Sequence, residues 1–272
     1  MHEVKDRLPE VQEYLILDTG YTTAHQYIAR RDGTWKRVKF PATCVLFRHP
    51  SEGFCLFDTG YAPRFFTTTR QFPEKIYALA TPVVCSADTT VTAQLLRLGA
   101  VPSDVRHVFV SHFHADHVAG LRDFPEATIW CSRTAWNHTN ELNGFAAVRR
   151  GILRALEPDD LADRLRFFED QTKVSRTDCW DHHFDVFADG IFKIIDLPGH
   201  ARGQIGLLNA PEEFFLVADA IWRTDALREG ILPFPTVRLF FDDWAAYKNT
   251  FLKLRAWWAA RPEVRVLCCH DL

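Results

Sequence analysis

The chain lacks any excess of basic residues. Its 32 Lys and Arg face 35 Asp and Glu, a formal net charge of −3 with His neutral. No global positive field is therefore available to attract nucleic acid or an anionic membrane. It also lacks an apolar run near the roughly 18 residues that span a bilayer. The N-terminal stretch "MHEVKDRLPEVQEYLILDTG" has no apolar core of a signal peptide, so a soluble, cytoplasmic protein is expected. Nor is there a disulfide framework: the seven cysteines are odd in number and irregularly spaced, and read as reduced thiols. Cys268 and Cys269 are adjacent, which disfavours a bond between them, while Cys44, Cys55, Cys85 and Cys131 sit in apolar stretches as small core residues. No Gly/Ser linker or charge run marks a boundary, and one domain over residues 1–272 is expected.

What is present is ordinary globular material, 47% hydrophobic and 25% charged, enough to fill a sizeable core. "EYLILDTG", "TCVLFRHP" and "GFCLFDTG" are short, rich in β-branched and aromatic residues, and closed by Gly, Pro or Asp, as strands are. The tetrapeptide "DTGY" occurs at Asp18–Tyr21 and again at Asp58–Tyr61 without a wider repeat. "DTTVTAQLLRLGA" predicts a capped helix, "VRHVFVSH" a buried strand, "VAGLRDF" the start of a helix and "ATIWCS" another strand. A polar and aromatic stretch at about 132–183 reads as a helical insert, with "SRTAWNHTNEL" and "FAAVRRGILRAL" as its helices. Strands resume at "HFDVFAD", "IFKIIDLPGH", "QIGLLNA" and "EFFLVADA". A helix, "DDWAAYKNTFLKLRAWWAA", then leads to a last strand, "VRVLCCHDL". Sheets flanked by helices give an α/β fold class.

The segment "FVSHFHADHVAG" places three histidines and an aspartate within six positions at the end of an apolar strand. A packed core has little use for them, since each polar side chain needs a partner once water is excluded. His112 and His114 are two apart and point to one side of an extended backbone; Asp116 and His117 follow as the chain turns. Imidazole and carboxylate are ligands that Zn²⁺, Fe²⁺ or Mn²⁺ accept.

Here the sequence resembles the metallo-β-lactamase superfamily, because "SHFHADH" matches its HxHxDH motif. Further elements follow in order: His200 closes "IIDLPGH", Asp219 closes "FFLVAD", and His270 follows "VRVLCC". "GFCLFDTG" with Asp58 is similar to an early strand-turn that supports the metal loop. The resemblance covers about residues 40–272. It implies a four-layer αβ/βα sandwich with two divalent cations, zinc foremost, iron, manganese or cobalt also being accepted. His112, His114 and His200 would bind one cation and Asp116, His117 and His270 the other. Asp219 would bridge them, and a bridging hydroxide would attack the substrate. Asp116, or a metal-bound water, would protonate the leaving group. Asp116 and Asp219 are thus the catalytic carboxylates. Diiron flavoprotein relatives carry Glu where His114 stands, and lactamases with a Cys-containing site carry Cys where Asp219 stands, so both residues favour a dinuclear hydrolase.

The motif order is most similar to lactonases that open N-acyl homoserine lactones, with a small acyl substrate and no nucleic-acid or membrane partner. Those lactonases carry Tyr three residues after the bridging Asp; this chain has Trp222, whose indole N–H donates but is not an acidic hydroxyl. Trp136, Phe145, Trp180, Trp222, Phe234 and Phe240 are candidate pocket walls, and Arg202 and Arg223 candidate anion holders. His138, His182 and His183 read as loop residues. Asp196 and Asp271 read as turn residues or as partners orienting ligand imidazoles. Competing activities are ester or thioester hydrolysis, phosphodiester hydrolysis, a single-iron persulfide dioxygenase, and a non-catalytic metal sensor.

Overall fold

The runs of β-branched and aromatic residues form fourteen strands in the computed structural model, which describes residues 2–11, 13–177, 179–210 and 212–271. The chain divides into two compact units. The first comprises Met1–Thr23, Lys39–Cys131 and Thr139–Arg166. Its sheet contains β1 (His2–Val4), β2 (Glu13–His25), β3 (Arg37–His49), β4 (Gly53–Phe57), β5 (Val83–Val84), β6 (Val105–Phe109), β7 (Thr128–Cys131) and β8 (Leu165–Phe167), a few end residues of which fall outside the unit. The order is β1-β2-β3-β4-β6-β7-β8, with β5 alongside β2.

Strands β4, β6 and β7 run parallel, and parallel strands are covered on both faces. That is why "VFV" at 108–110 is continuously apolar and fully buried. Parallel pairing has a positional consequence: the residues following β4 and β6 emerge at the same sheet edge. Asp58 follows the first of these strands, and the Ser111–His117 segment follows the second.

The second unit comprises Ala24–Val38, Ser132–His138 and Phe167–Leu272. Its sheet is ordered β14-β13-β12-β11-β10-β9. The strands are β9 (Thr172–Thr177), β10 (Trp180–Asp185), β11 (Phe192–Asp196), β12 (Ile205–Asn209), β13 (Phe214–Leu216) and β14 (Arg265–Leu267). β11 and β13 are each antiparallel to β12, and β14 is parallel to β13. The loops after β11, β13 and β14 therefore leave by one edge, and they carry His200, Asp219 and His270.

The long helix Trp244–Ala259 is capped by Asp243, whose carboxylate accepts from the N–H groups of Ala245 and Ala246. Tyr247, Thr250, Phe251, Leu254, Trp257 and Trp258 are buried at helical spacing. Most of them pack against Ile195, Leu208, Phe215 and Val217 of this sheet and the chain that follows β13. The helix also fixes the His200 loop: Thr250 donates to the Pro198 carbonyl at 2.7 Å, and Asp243 N–H to the Gly199 carbonyl at 3.0 Å.

The stretch expected as a helical insert is only partly helical. Helices occupy Arg133–Glu141, Gly144–Arg149 and Leu161–Arg164, but β8 and the β9–β10 hairpin also lie inside it. The period-two segment "WDHHFD" pairs as a strand, its Trp180 and Phe184 buried on one face. The "FAAVRRGILRAL" run is broken at Gly151, which takes φ +72.

Candidate metal centre

In the first unit, the HxHxDH segment is held by backbone contacts before its side chains are considered. The Thr59 N–H and hydroxyl both donate to the His117 carbonyl, at 2.8 and 2.9 Å. Ala115 N–H donates to the Gly151 carbonyl at 3.0 Å, and Arg64 to the Ala119 carbonyl at 2.6 Å. The short helix Ala115–Val118 then brings three imidazoles together, His112 and His114 with ring centroids 4.4 Å apart and His112 and His117 at 4.0 Å.

Asp58, 1% exposed and at φ +62, underlies this cluster. Its Oδ1 accepts the Ser111 N–H at 2.8 Å; its Oδ2 accepts the Ser111 hydroxyl at 2.8 Å and the His117 Nδ1–H at 2.7 Å. With the Ser111 proton directed at Asp58, the 3.0 Å contact from His112 Nδ1 to Ser111 Oγ has the imidazole as donor. Both rings thus carry their proton on Nδ1 and a lone pair on Nε2. Orienting the second nitrogen in this way is how proteins present imidazole to a cation. Asp116 Oδ2 lies 3.7 Å from His117 Nε2. His114, with its ring against Gly151, is half-buried.

In the second unit, Asp219 is the hub. It sits in a one-turn 3-10 helix, Ala218–Ala220, entered through Ala218 at φ +45. Its Oδ2 lies 3.1 Å from His200 Nε2 and 3.3 Å from His270 Nε2. The Trp222 indole N–H donates to the same oxygen at 3.1 Å, and the Cys269 thiol donates to Oδ1. All but Trp222 are buried. Non-glycine residues with positive φ cost about 1–3 kcal/mol and gather at functional sites; Asp58 and Ala218 are two such residues.

A set of imidazoles and carboxylates, most of them buried and with the Nε2 lone pairs of His112 and His117 oriented, suits a borderline divalent cation. A buried carboxylate needs partners to offset its desolvation, and Asp219 has imidazoles, an indole N–H and a thiol against it.

The expected pocket residues fare differently. Trp180 belongs to the core, 5% exposed and edge-on to Phe215 at 6.0 Å. The inward face of β10 accounts for that. Trp222 stands edge-on to His200 (5.8 Å) and Phe241 (5.3 Å). Phe145 is exposed and packs on Phe72, and Phe234 packs on Tyr27; Phe240 is exposed. Trp136 is half-buried on the helix Arg133–Glu141.

Arg223 is paired with carboxylates: its guanidinium bonds Asp225 at 3.1 and 3.2 Å and lies 3.5 Å from Asp271. The hydrogen bonds to Asp225, with the nearby Asp271 charge, hold it more firmly protonated than an isolated arginine. Arg202 is exposed, and its backbone N–H donates to Asp242 at 2.6 Å. Asp271 accepts from Thr224, and Asp196 pairs with His182 at 3.0 Å rather than with a candidate ligand. His138 lies 3.5 Å from Asp242, and His183 is buried on β10.

Two residues escaped the sequence reading. Phe241 stands edge-on to His200 at 4.7 Å, yet nothing distinguishes it from the surrounding aromatics in "RLFFDDW". Cys269 was set aside as an ordinary thiol; its place immediately before His270 was the available signal.

Comparison with known proteins places these elements in a family context. Residues 37–256 match the family described as the metallo-beta-lactamase superfamily. An N-acyl homoserine lactonase AttM of Agrobacterium fabrum is 29% identical over 229 residues, covering 83% of this chain and 82% of that protein. The AttM of Azorhizobium caulinodans is 26% identical over the same shares. A solved N-acyl homoserine lactone hydrolase, with N-hexanoyl-L-homoserine at its catalytic metal centre, superposes with TM-score 0.68 and 17% identity. It covers 95% of this chain and 93% of that one.

Proposed function

The chain belongs to the metallo-β-lactamase superfamily and has its fold, and from that premise we propose a dinuclear metal-dependent hydrolase that opens a lactone or cleaves a related ester. In this reading His112, His114 and His200 hold one divalent cation, Asp116, His117 and His270 the other, and Asp219 is shared. The observation that carries it is the buried donor set itself, His and Asp groups of a kind that could hold metal ions, with Asp58 and Ser111 fixing the Nδ1 protons of His117 and His112. The named lactonase relatives support hydrolysis of a small acyl substrate.

Cations bound there would lower the pKa of a shared water from about 15.7 toward neutrality and polarise the substrate carbonyl. The protein's own contribution is positional. Asp219 faces two imidazoles, and Asp58 holds His117 in one tautomer. Asp116 would take a proton from the attacking water and pass it to the leaving alkoxide oxygen as the C–O bond breaks. Trp222 and Phe241 form an aromatic wall beside His200.

Trp222 favours an ester or a bulkier lactone alongside the simple reading. Its N–H is committed to Asp219, so it places no hydroxyl at the substrate carbonyl. The test is a panel of acyl lactones, aryl esters, thioesters and phosphodiesters given to metal-loaded enzyme, with Asp219→Ala as control. Lactone or ester turnover that falls at least about a thousandfold in Asp219→Ala supports the reading. Equal turnover in the variant, or turnover of phosphodiesters alone, overturns it. Trp222→Tyr should raise lactone opening relative to ester cleavage.

A further inference from the structure

Four donors of the second unit converge on one point, and one of them has no part in the proposed function. His200, Asp219, Cys269 and His270 are all less than a tenth exposed. The Cys269 thiol donates to Asp219 Oδ1, while His270 Nε2 lies 3.3 Å from Asp219 Oδ2. Cys269 and His270 are neighbours in sequence, just past the end of β14, and both side chains reach the same carboxylate. No cysteine among the described residues is in a disulfide.

From this geometry we infer that Cys269 is a metal ligand, supplying a thiolate to the cation that His270 and Asp219 hold. The inference rests on the proposed metal centre and adds a donor to it. Asp219, Cys269 and His270 belong to one group that could hold an ion, and its chemistry differs from an all-nitrogen and oxygen set. A thiol that donates to a carboxylate has its proton, rather than its lone pair, directed at Asp219. When the cation binds, the S–H bond breaks, sulfur keeps the electron pair as donor to the metal, and the proton leaves to solvent. Thiolate is softer than imidazole or carboxylate, so this position should discriminate among cations in favour of zinc, cobalt or iron(II) over manganese or magnesium. Sulfur also donates more charge than oxygen, which weakens the Lewis acidity of that cation relative to its neighbour. The two positions would then be unequal, one polarising more strongly than the other.

The test is cobalt(II) reconstitution of the full chain, read by absorption rather than by activity. Wild-type protein should show the visible ligand-field bands of bound cobalt together with a near-ultraviolet sulfur-to-cobalt charge-transfer band. Cys269→Ser should keep the ligand-field bands, lose the charge-transfer band and bind cobalt about tenfold or more weakly; Cys268→Ala should retain the band. Ligand-field bands in the wild type without charge transfer overturn the inference while leaving the metal centre intact. Failure of the wild type to take up any divalent cation overturns both. Should the variants fail to fold, zinc X-ray absorption on the wild type decides the matter: sulfur at about 2.3 Å supports the inference, and a first shell of nitrogen and oxygen alone refutes it.

Discussion

Replacing Asp58 by Asn tests the reasoning at a residue that touches no substrate in the proposal. The carboxylate accepts three hydrogen bonds, from Ser111 N–H, Ser111 O–H and His117 Nδ1–H, at 2.7–2.8 Å. Asn conserves the shape and retains one acceptor oxygen, but its NH₂ must face two groups that were donors. Ser111 can rotate its hydroxyl. His117 can meet an N–H donor only by moving its own proton from Nδ1 to Nε2, and the lone pair then points away from the cation. Hydrogen bonds to a charged acceptor contribute about 1.5–3 kcal/mol each, so losing two with partial compensation should destabilise the apo-protein by about 2–4 kcal/mol. Partners of this kind cost about 10–100-fold in metal affinity when mutated, equivalent to about 1.4–2.7 kcal/mol. Competition against a chromophoric chelator measures the affinity, and ¹⁵N chemical shifts of the His117 ring report the tautomer. A Kd within twofold of wild type, with Nε2 still unprotonated, would refute the account of Asp58 as the residue that orients His117.

Two other outcomes follow from the same structure. A Cβ at Gly199 would meet the N and Cα of Tyr247 at 2.2 Å, in a backbone already at φ +133, so Gly199→Ala should cost more than about 3 kcal/mol in urea unfolding and weaken metal binding through the His200 loop. Gly190→Ala, at φ +76 in open space, should cost only about 1–2 kcal/mol, and equal losses for the two would show that the packing against the helix does not hold the loop. Glu157 is buried next to Arg154, and burial raises its carboxyl from 4.5 to about 7. Because the folded state keeps this proton while the unfolded chain releases it, stability should decline as pH rises from about 4.5 to 7 and level off above. Glu157→Gln should remove that slope and gain up to about 3 kcal/mol at pH 8; parallel pH profiles of the two proteins would sink the assignment.

The strand ends that carry the candidate ligands were legible in the sequence, because apolar runs closed by Gly, Pro or Asp mark them. Parallel pairing of β4 with β6 is what turns linear order into shared position, so Asp58 and the histidine segment meet without being close in sequence. The pocket was not legible. Trp180 and Trp222 look alike as letters, and only the pleat of β10 directs one of them into the core. Arg223 was read as a candidate anion holder because hydrophobic periodicity does not show its pairing with Asp225, in the first turn of the helix Thr224–Glu229, and with Asp271. The insert was misread for a related reason: "WDHHFD" has too few apolar letters to announce a strand, and its pairing with β9 supplies what composition lacks.

Gly151 has a bearing on how this molecule can change. Its carbonyl accepts the Ala115 N–H, and its missing side chain leaves room for the His114 ring, which a Cβ would approach at 3.1 Å. The stretch ahead of it, which carries the exposed Phe145, is fastened to the ligand cluster at Gly151 and through Val148, which shares an apolar cluster with Ala115 and Ala119. Mutational drift at the exposed positions of residues 140–150 can reshape the surface around Phe145, but lengthening or shortening the chain next to Gly151 would pull directly on His114. Substitutions, rather than insertions and deletions, are the tolerated currency of variation there.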